Sequence, residues 1–167
     1  MGNRFEVLFA GLYPRLYGLV YRVLGDRPEC EEVLQEAFLR LSAHDVMARP
    51  DEEIAAWLRR VAVNLAFNRR RDQARFVARQ ERIGRLEQNG HGADPAVAVL
   101  QREDQAEVRR ALAELPDRQR ECLLLRHSGY SYAEIAATLE VAVGSVGVLL
   151  ARGEKAFREK YGENSVS

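Results

Sequence analysis

Cysteine, histidine and tryptophan are scarce in this 167-residue chain, with two, three and one copies. Cys30 and Cys122 lie far apart, each inside a helical pattern, with no CxxC or Cys/His spacing of the kind a zinc or redox site needs. Both read as small buried hydrophobes in a reducing compartment, and no metal or other cofactor is expected. His44, His91 and His127 fall in separate segments without a nucleophile or carboxylate at motif spacing, which argues against an enzyme. No apolar run approaches the ~20 residues that span a bilayer, so no membrane partner is expected. The opening MGNRFEVLFAGLYPRL has no basic stretch leading into an unbroken apolar one, and Glu6 stands where a myristoylation signal wants Ser or Thr. Aromatics are 8% of the chain and β-branched runs between turn signals are nearly missing, which disfavours a sheet.

Net charge is also lacking, with 25 basic and 25 acidic residues. The balance conceals two opposed segments. Residues 26–53 carry nine acids against three arginines, and residues 59–85 carry nine arginines against Asp72 and Glu81. An acidic surface beside a basic one implies two partners of opposite sign.

What the sequence does have is helical periodicity. Phe5, Leu8, Phe9, Leu12, Leu16, Leu19, Val20 and Val23 recur at helical spacing, with Pro14 expected to break or kink the helix in two. Gly25-Asp26 ends it and Pro28 opens the next, about 28–42, which buries Cys30, Val33, Leu34, Ala37 and Leu41. Its other side shows Glu32, Gln35, Glu36 and Leu39, an acid-amide-leucine stripe that reads as a docking surface or, more plainly, as a solvated face. SAHDVMARPD is a loop with Asp51 as the expected N-cap of a third helix, from about 52 to 75 or beyond. That helix has a core stripe of Ile54, Trp57, Leu58, Val61, Ala62 and Leu65. A second stripe of Arg60, Asn64, Asn68, Arg71 and Arg75 either combines phosphate-neutralising cations with amides that read base edges or is a solvated basic face. QNGHGADPAVA, residues 88–98, is the expected linker. Beyond it come a helix over about 99–114, a restart at Leu115-Pro116-Asp117, and the capping box Ser131-Tyr132-Ala133-Glu134. A short turn then leads to Val146, Leu150 and Phe157, giving a helix-turn-helix.

Three stretches together resemble the sigma-70 family of sigma factors, of the extracytoplasmic-function type. CEEVLQEAFLRL is similar to region 2.2, WLRRVAVNLAFNRRR to regions 2.3–2.4, and LPDRQRECLLLRHSGYSYAEIAATLEV to region 4. The resemblance implies an all-α fold of two small helical domains, region 2 over 1–87 and region 4 over 99–167, joined by a flexible linker over 88–98. It implies a bacterial, cytoplasmic transcription factor whose partners are core RNA polymerase, promoter DNA and an anti-sigma factor or other regulator. Glu32, Gln35, Glu36, Leu39 and Arg40 would dock the polymerase clamp coiled coil. Arg60, Asn64, Asn68, Arg71 and Arg75 would lie on the −10 element, and the loop at 43–53 would capture a flipped base. Trp57, on the core stripe, is expected to pack instead of stack on a base. Region 4 would hold the polymerase flap in an apolar groove and set its last helix on the −35 element.

That last helix departs from the family pattern. Gly144, Ser145, Gly147, Val148, Arg152 and Lys155 are the candidate −35 contacts, but Gly147 and Val148 replace a cation and a Ser, and Leu149 replaces an Arg. Glu140 occupies a turn position where Gly is usual. Acids outnumber bases over 99–167 by eleven to ten. Weak or shape-based −35 readout is therefore expected, with the −10 stripe dominant. The alternative is a sigma-like module whose second domain binds a protein through Val148 and Leu149; a plain helix-turn-helix repressor would leave the first domain unexplained.

Overall fold

Residues 2–83 and 96–166 are described in the computed structural model, with side chains over 3–83 and 105–162. Seven α-helices are described: α1 Gly2–Leu24, α2 Arg27–Ser42, α3 Asp51–Ile83, α4 Ala96–Ala113, α5 Asp117–His127, α6 Tyr132–Leu139 and α7 Val143–Val166, with a 3-10 turn at Asp45–Ala48. No strand occurs among the described residues, as the all-α expectation requires. Most of the expected linker lies outside the described residues, but its last three positions, 96–98, already belong to α4.

Local chemistry sets most helix ends. Gly25 leaves α1 at φ 65°, and Asp26 caps α2 by accepting from the Glu29 N–H at 3.1 Å, with Pro28 in the first turn. Ser131 and Glu134 form the reciprocal capping box of α6, both bonds 3.1 Å. Asp51, expected as a cap, lies instead inside the first turn of α3. The Pro50 carbonyl accepts from the Glu53 and Ile54 N–H groups, and the Asp51 carboxylate turns to Arg4 at 3.0 Å.

Pro14 does not divide α1, contrary to the sequence expectation: one helix runs through it. A mid-helix proline costs about 3 kcal/mol. Leu8 on one side of it and Leu16, Leu19 and Val20 on the other are all buried against α2 and α3. At roughly 1.5–3 kcal/mol per buried side chain, keeping that face continuous outweighs the proline. An aromatic column at four-residue intervals (Phe5, Phe9, Tyr13, Tyr17 and Tyr21) also spans the proline, and Phe38 of α2 packs against Phe9 at 4.7 Å.

Helices α1–α3 close around Leu19, Cys30, Leu34, Ile54 and Leu58, and α5–α7 around Cys122, Leu125, Ile135, Leu139 and Val146. Between α6 and α7 the chain turns through 94°, the helix-turn-helix bend. Glu140 makes that turn at φ 57°, ψ 46°, and its N–H reaches the Ala136 carbonyl. A left-handed conformation costs a non-glycine residue about 1 kcal/mol. The two groups of helices also touch each other: α6 lies on α3, and α5 reaches α1.

Candidate nucleic-acid and protein interfaces

On α2 the five predicted docking residues share the side opposite the core. Glu32, Gln35, Glu36, Leu39 and Arg40 are all exposed, because their spacing sets them against buried Cys30, Val33, Leu34, Ala37, Phe38 and Leu41. Arg40 bonds Glu36 at 2.6 Å, and Glu32 joins Glu29 in gripping Arg69 of α3 at 2.7 and 2.6 Å. Leu39 stands 63% exposed among these charges.

The α3 stripe divides. Asn64, Asn68, Arg71 and Arg75 are exposed, with Arg71 donating to the Asn68 side-chain oxygen. Arg60 is half-buried and ion-paired to Glu140 of the helix-turn-helix. The arginine surplus of 59–85 is therefore only partly available. Arg59 is 6% exposed, Arg69 is held by two glutamates, and Arg70 donates to the Val23 carbonyl at 3.2 Å. Burial lowers the pKa of Arg59 and of Arg70. Arg85 lies outside the described residues.

Arg4 pins the turn between α2 and α3. It donates to the Met47 and Arg49 carbonyls at 2.6 and 2.7 Å and pairs with Asp51. His44 Nδ1 accepts from the Val46 N–H at 3.0 Å, while the His44 ring packs on Trp57 at 4.7 Å. Trp57 is partly buried against the core, as its stripe predicts.

On α7, Gly144, Ser145, Val148, Arg152 and Lys155 are exposed and Gly147 is half-buried beside the Tyr132 ring. Val143, Val148 and Tyr132 give this surface an apolar character, at 54%, 49% and 42% exposure. Val146 and Leu150 point inward, as expected. Val108 of α4 is 40% exposed and lines a groove of about 770 Å³ with Tyr21, Leu112, Leu123, Leu124 and Phe157.

Sequence reasoning missed the seam between the two groups of helices. Arg59 donates to Thr138 Oγ1 at 2.9 Å and lies 3.8 Å from Glu134. Arg15 reaches the Gly129 carbonyl at 3.1 Å and Glu134 at 3.4 Å, and both arginines stack over the buried Tyr130 ring. Arg120 of α5 lies over Phe67 of α3 at 3.9 Å. The Arg109 guanidinium fills the space where any side chain at Gly25 would begin. Only Glu140, by departing from Gly at a turn, carried a signal in the sequence; Arg15 and Thr138 carried none.

Residues 8–76 match the model of sigma-70 region 2, and residues 105–157 that of sigma-70 region 4. Over 154 residues the chain is 30% identical to the ECF RNA polymerase sigma factor SigW of Bacillus subtilis, covering 87% of this chain and 82% of that one. It is 29% identical over 167 residues to the RNA polymerase sigma-H factor of Pseudomonas aeruginosa, covering 92% and 83%. Among solved structures, the fold resembles CnrH in complex with the cytosolic domain of CnrY, with TM-score 0.61 and 22% identity over 95% of this chain and 88% of that one. It also resembles the sigma factor RpoE in complex with the anti-sigma factor NepR from Bartonella quintana, with TM-score 0.58 and 19% identity over 94% and 96%.

Proposed function

Because the chain belongs to the sigma-70 family, as a sigma factor of the ECF type, we propose how its surfaces divide the work of directing core RNA polymerase to promoters. Residues 1–87 act as region 2 and residues 99–167 as region 4. The α2 stripe around Leu39 docks the polymerase clamp, where an exposed leucine ringed by ordered charges supplies both burial and register. Asn64, Asn68, Arg71 and Arg75 meet the −10 element, and the Arg4-held turn receives an unstacked base. The −35 contact through α7 is weak.

The observation that carries this reading is the contrast between the exposed surfaces of α3 and α7. The first offers two amides and two guanidinium groups in one row. The second offers two glycines, two valines and a serine before Arg152 and Lys155. Phosphate contacts and base-edge hydrogen bonds both favour the first. Run-off transcription with core polymerase, on duplex and on pre-melted promoters, tests it. Loss of initiation from α3 variants together with indifference to α7 variants is the expected pattern, and the reverse ranking refutes the reading.

A second reading draws on the groove lined by Val108, Leu112, Leu123, Leu124 and Phe157 and on the apolar α7 surface. Both suit an apolar helix from a protein partner, either the polymerase flap or an anti-sigma factor of the kind present in the similar structure from Bartonella quintana. Initiation confined to pre-melted templates would favour a protein recruiter bound to region 4.

A further inference from the structure

We infer that α3 grips promoter DNA beyond the −10 element: its projecting end, through Arg79 and Arg82, holds the phosphates of the duplex just upstream. The inference rests on the proposed assignment of Asn64, Asn68, Arg71 and Arg75 to the −10 element. It concerns residues past Phe76, where the match to region 2 ends.

Three features converge on it. First, at about 3.6 residues per turn, Arg79 and Arg82 fall in line with Asn64, Asn68, Arg71 and Arg75 on one side of α3, while Glu81 falls on the far side. Second, the helix outruns its packing. Its buried residues end at Phe67, and every residue over 74–83 is exposed, Phe76 at 62% and Val77 at 52% among them. That end of α3 serves no core. Third, its charges repel along the row. Arg71 and Arg75, and Arg75 and Arg79, stand four residues apart and Arg79 and Arg82 three, spacings at which like charges destabilise a helix. Elsewhere the chain answers an arginine at that spacing with an acid: Arg27 pairs with Glu31, Arg40 with Glu36 and Arg49 with Glu53. Among the described residues, no ion pair answers Arg75, Arg79 or Arg82. A row that repels itself is complementary to a polyanion.

Length and direction select the occupant. From Asn64 to Arg75 the row is about 17 Å long at roughly 1.5 Å per residue, or about five base pairs at roughly 3.4 Å each, which the −10 element can occupy alone. From Arg75 to Arg82 it gains about 10 Å, or about three base pairs. The N-terminal end of α3 follows the turn assigned to the unstacked base, and the chain leaves the C-terminal end toward region 4, assigned to the −35 element. The added stretch therefore points upstream, to DNA that stays paired while the −10 segment melts. Guanidinium groups there meet two charged strands and need no base edge.

The test uses holoenzyme assembled from the full chain and core polymerase, with two fork templates that carry an unpaired −10 strand and no −35 element. One keeps about ten base pairs of duplex upstream of the −10 element, and the other ends at its upstream edge. Arg79→Ala combined with Arg82→Ala changes two exposed residues to the best helix former, so folding is preserved. The double variant is expected to bind the longer template about tenfold more weakly, with a salt slope lower by about two, and the shorter template as the unaltered chain does. Uncharged methylphosphonate linkages over the first few upstream base pairs should weaken binding of the longer template by the unaltered chain and leave the double variant indifferent. Equal binding of the longer template by both proteins overturns the inference. So does an equal loss on both templates, which would reduce the effect to net charge, or an equal response of both proteins to the methylphosphonates. Asn64→Ala and Arg71→Ala separate that failure from failure of the −10 assignment. They weaken binding to both templates where the assignment holds, and indifference on both overturns the assignment and the extension with it.

Discussion

At the scale of single residues, Asn64 and Arg71 are where the α3 reading is most exposed to refutation. Each presents a polar head to solvent, outside the buried set Ile54, Leu58, Ala62, Val63, Ala66 and Phe67 of α3, so truncation removes a contact without opening the core. A base-edge or phosphate contact of this kind contributes about 1–3 kcal/mol. Asn64→Ala and Arg71→Ala should each cut run-off transcription about tenfold or more, while Ser145→Ala stays within about twofold. Arg71→Ala should also reduce the salt dependence of promoter binding by about one ion, measured as the slope of affinity against salt. The cysteines give an independent check on the core. Burial pushes both the Cys30 and Cys122 thiols up to about 11, so each is almost wholly protonated in the folded chain at neutral pH. A thiol reagent should label neither in the native protein and both in urea, and rapid native labelling would contradict the packing described. Both buried cysteines and the inward turn of Trp57 were legible in the sequence, because each followed from helical spacing. The engagement of Arg59 was not. Paired with Arg60 in sequence, it carries nothing in its identity to say that it would be buried against Thr138, 79 residues away.

Among the elements, the helix inventory was legible and its punctuation less so. Capping residues and apolar periods act locally, which is why α2, α6 and the helix-turn-helix bend appear in the sequence. Pro14 misled because its cost is local and its compensation is not: the burial that keeps α1 whole is supplied by α2 and α3. Leu16, fully buried just past the proline, should therefore be doubly sensitive. Leu16→Ala is expected to cost about 2–5 kcal/mol in denaturant unfolding, with loss of helicity beyond that of one turn. The turn between α2 and α3 makes the opposite case, since its order comes from one exposed side chain. Arg4→Ala removes two hydrogen bonds to carbonyls and the pair with Asp51, all at a partly exposed arginine. The global cost should stay below about 1 kcal/mol. Amide exchange over 45–51 should nevertheless accelerate, and selectivity for the −10 sequence should fall more than overall affinity. An Arg4→Ala protein with unaltered exchange in that turn would show that the clamp does not order it.

For the molecule as a whole, two domains in the right order were readable from three motifs, but not how they meet, because the seam joins positions far apart in sequence through ordinary residue types. Its electrostatics give a pH signature of defined sign. Burial raises the Glu134 pKa, but hydrogen bonds from the Ser131 backbone and side chain, with Arg15 and Arg59 across the seam, outweigh it and hold the carboxyl below the usual glutamate value. A depressed folded pKa contributes stability that is complete above the unfolded value, about 4.3, and is lost as pH falls through the lower folded value. Glu121 has the opposite shift. Burial in the cleft raises its pKa against the lowering effect of Arg120 and Arg118, and Asp117 adds to the rise. Its protonation therefore favours the folded chain, and does so at a higher pH than the protonation of Glu134 opposes it. Acidification should first leave the seam unchanged or slightly tighter and then open it as pH falls past the unfolded glutamate value and through the lower folded value of Glu134. Energy transfer between fluorophores on Glu6→Cys of α1 and Glu159→Cys of α7, both exposed positions in a chain whose native cysteines are buried, follows both steps when recorded against pH. Glu121→Gln should abolish the first, and Glu134→Gln should remove the second while lowering transfer already at neutral pH. A seam that opens as pH rises from neutral, or one indifferent to Glu134→Gln, would mean that the α6 cap and the two arginines from α1 and α3 do not hold the domains together.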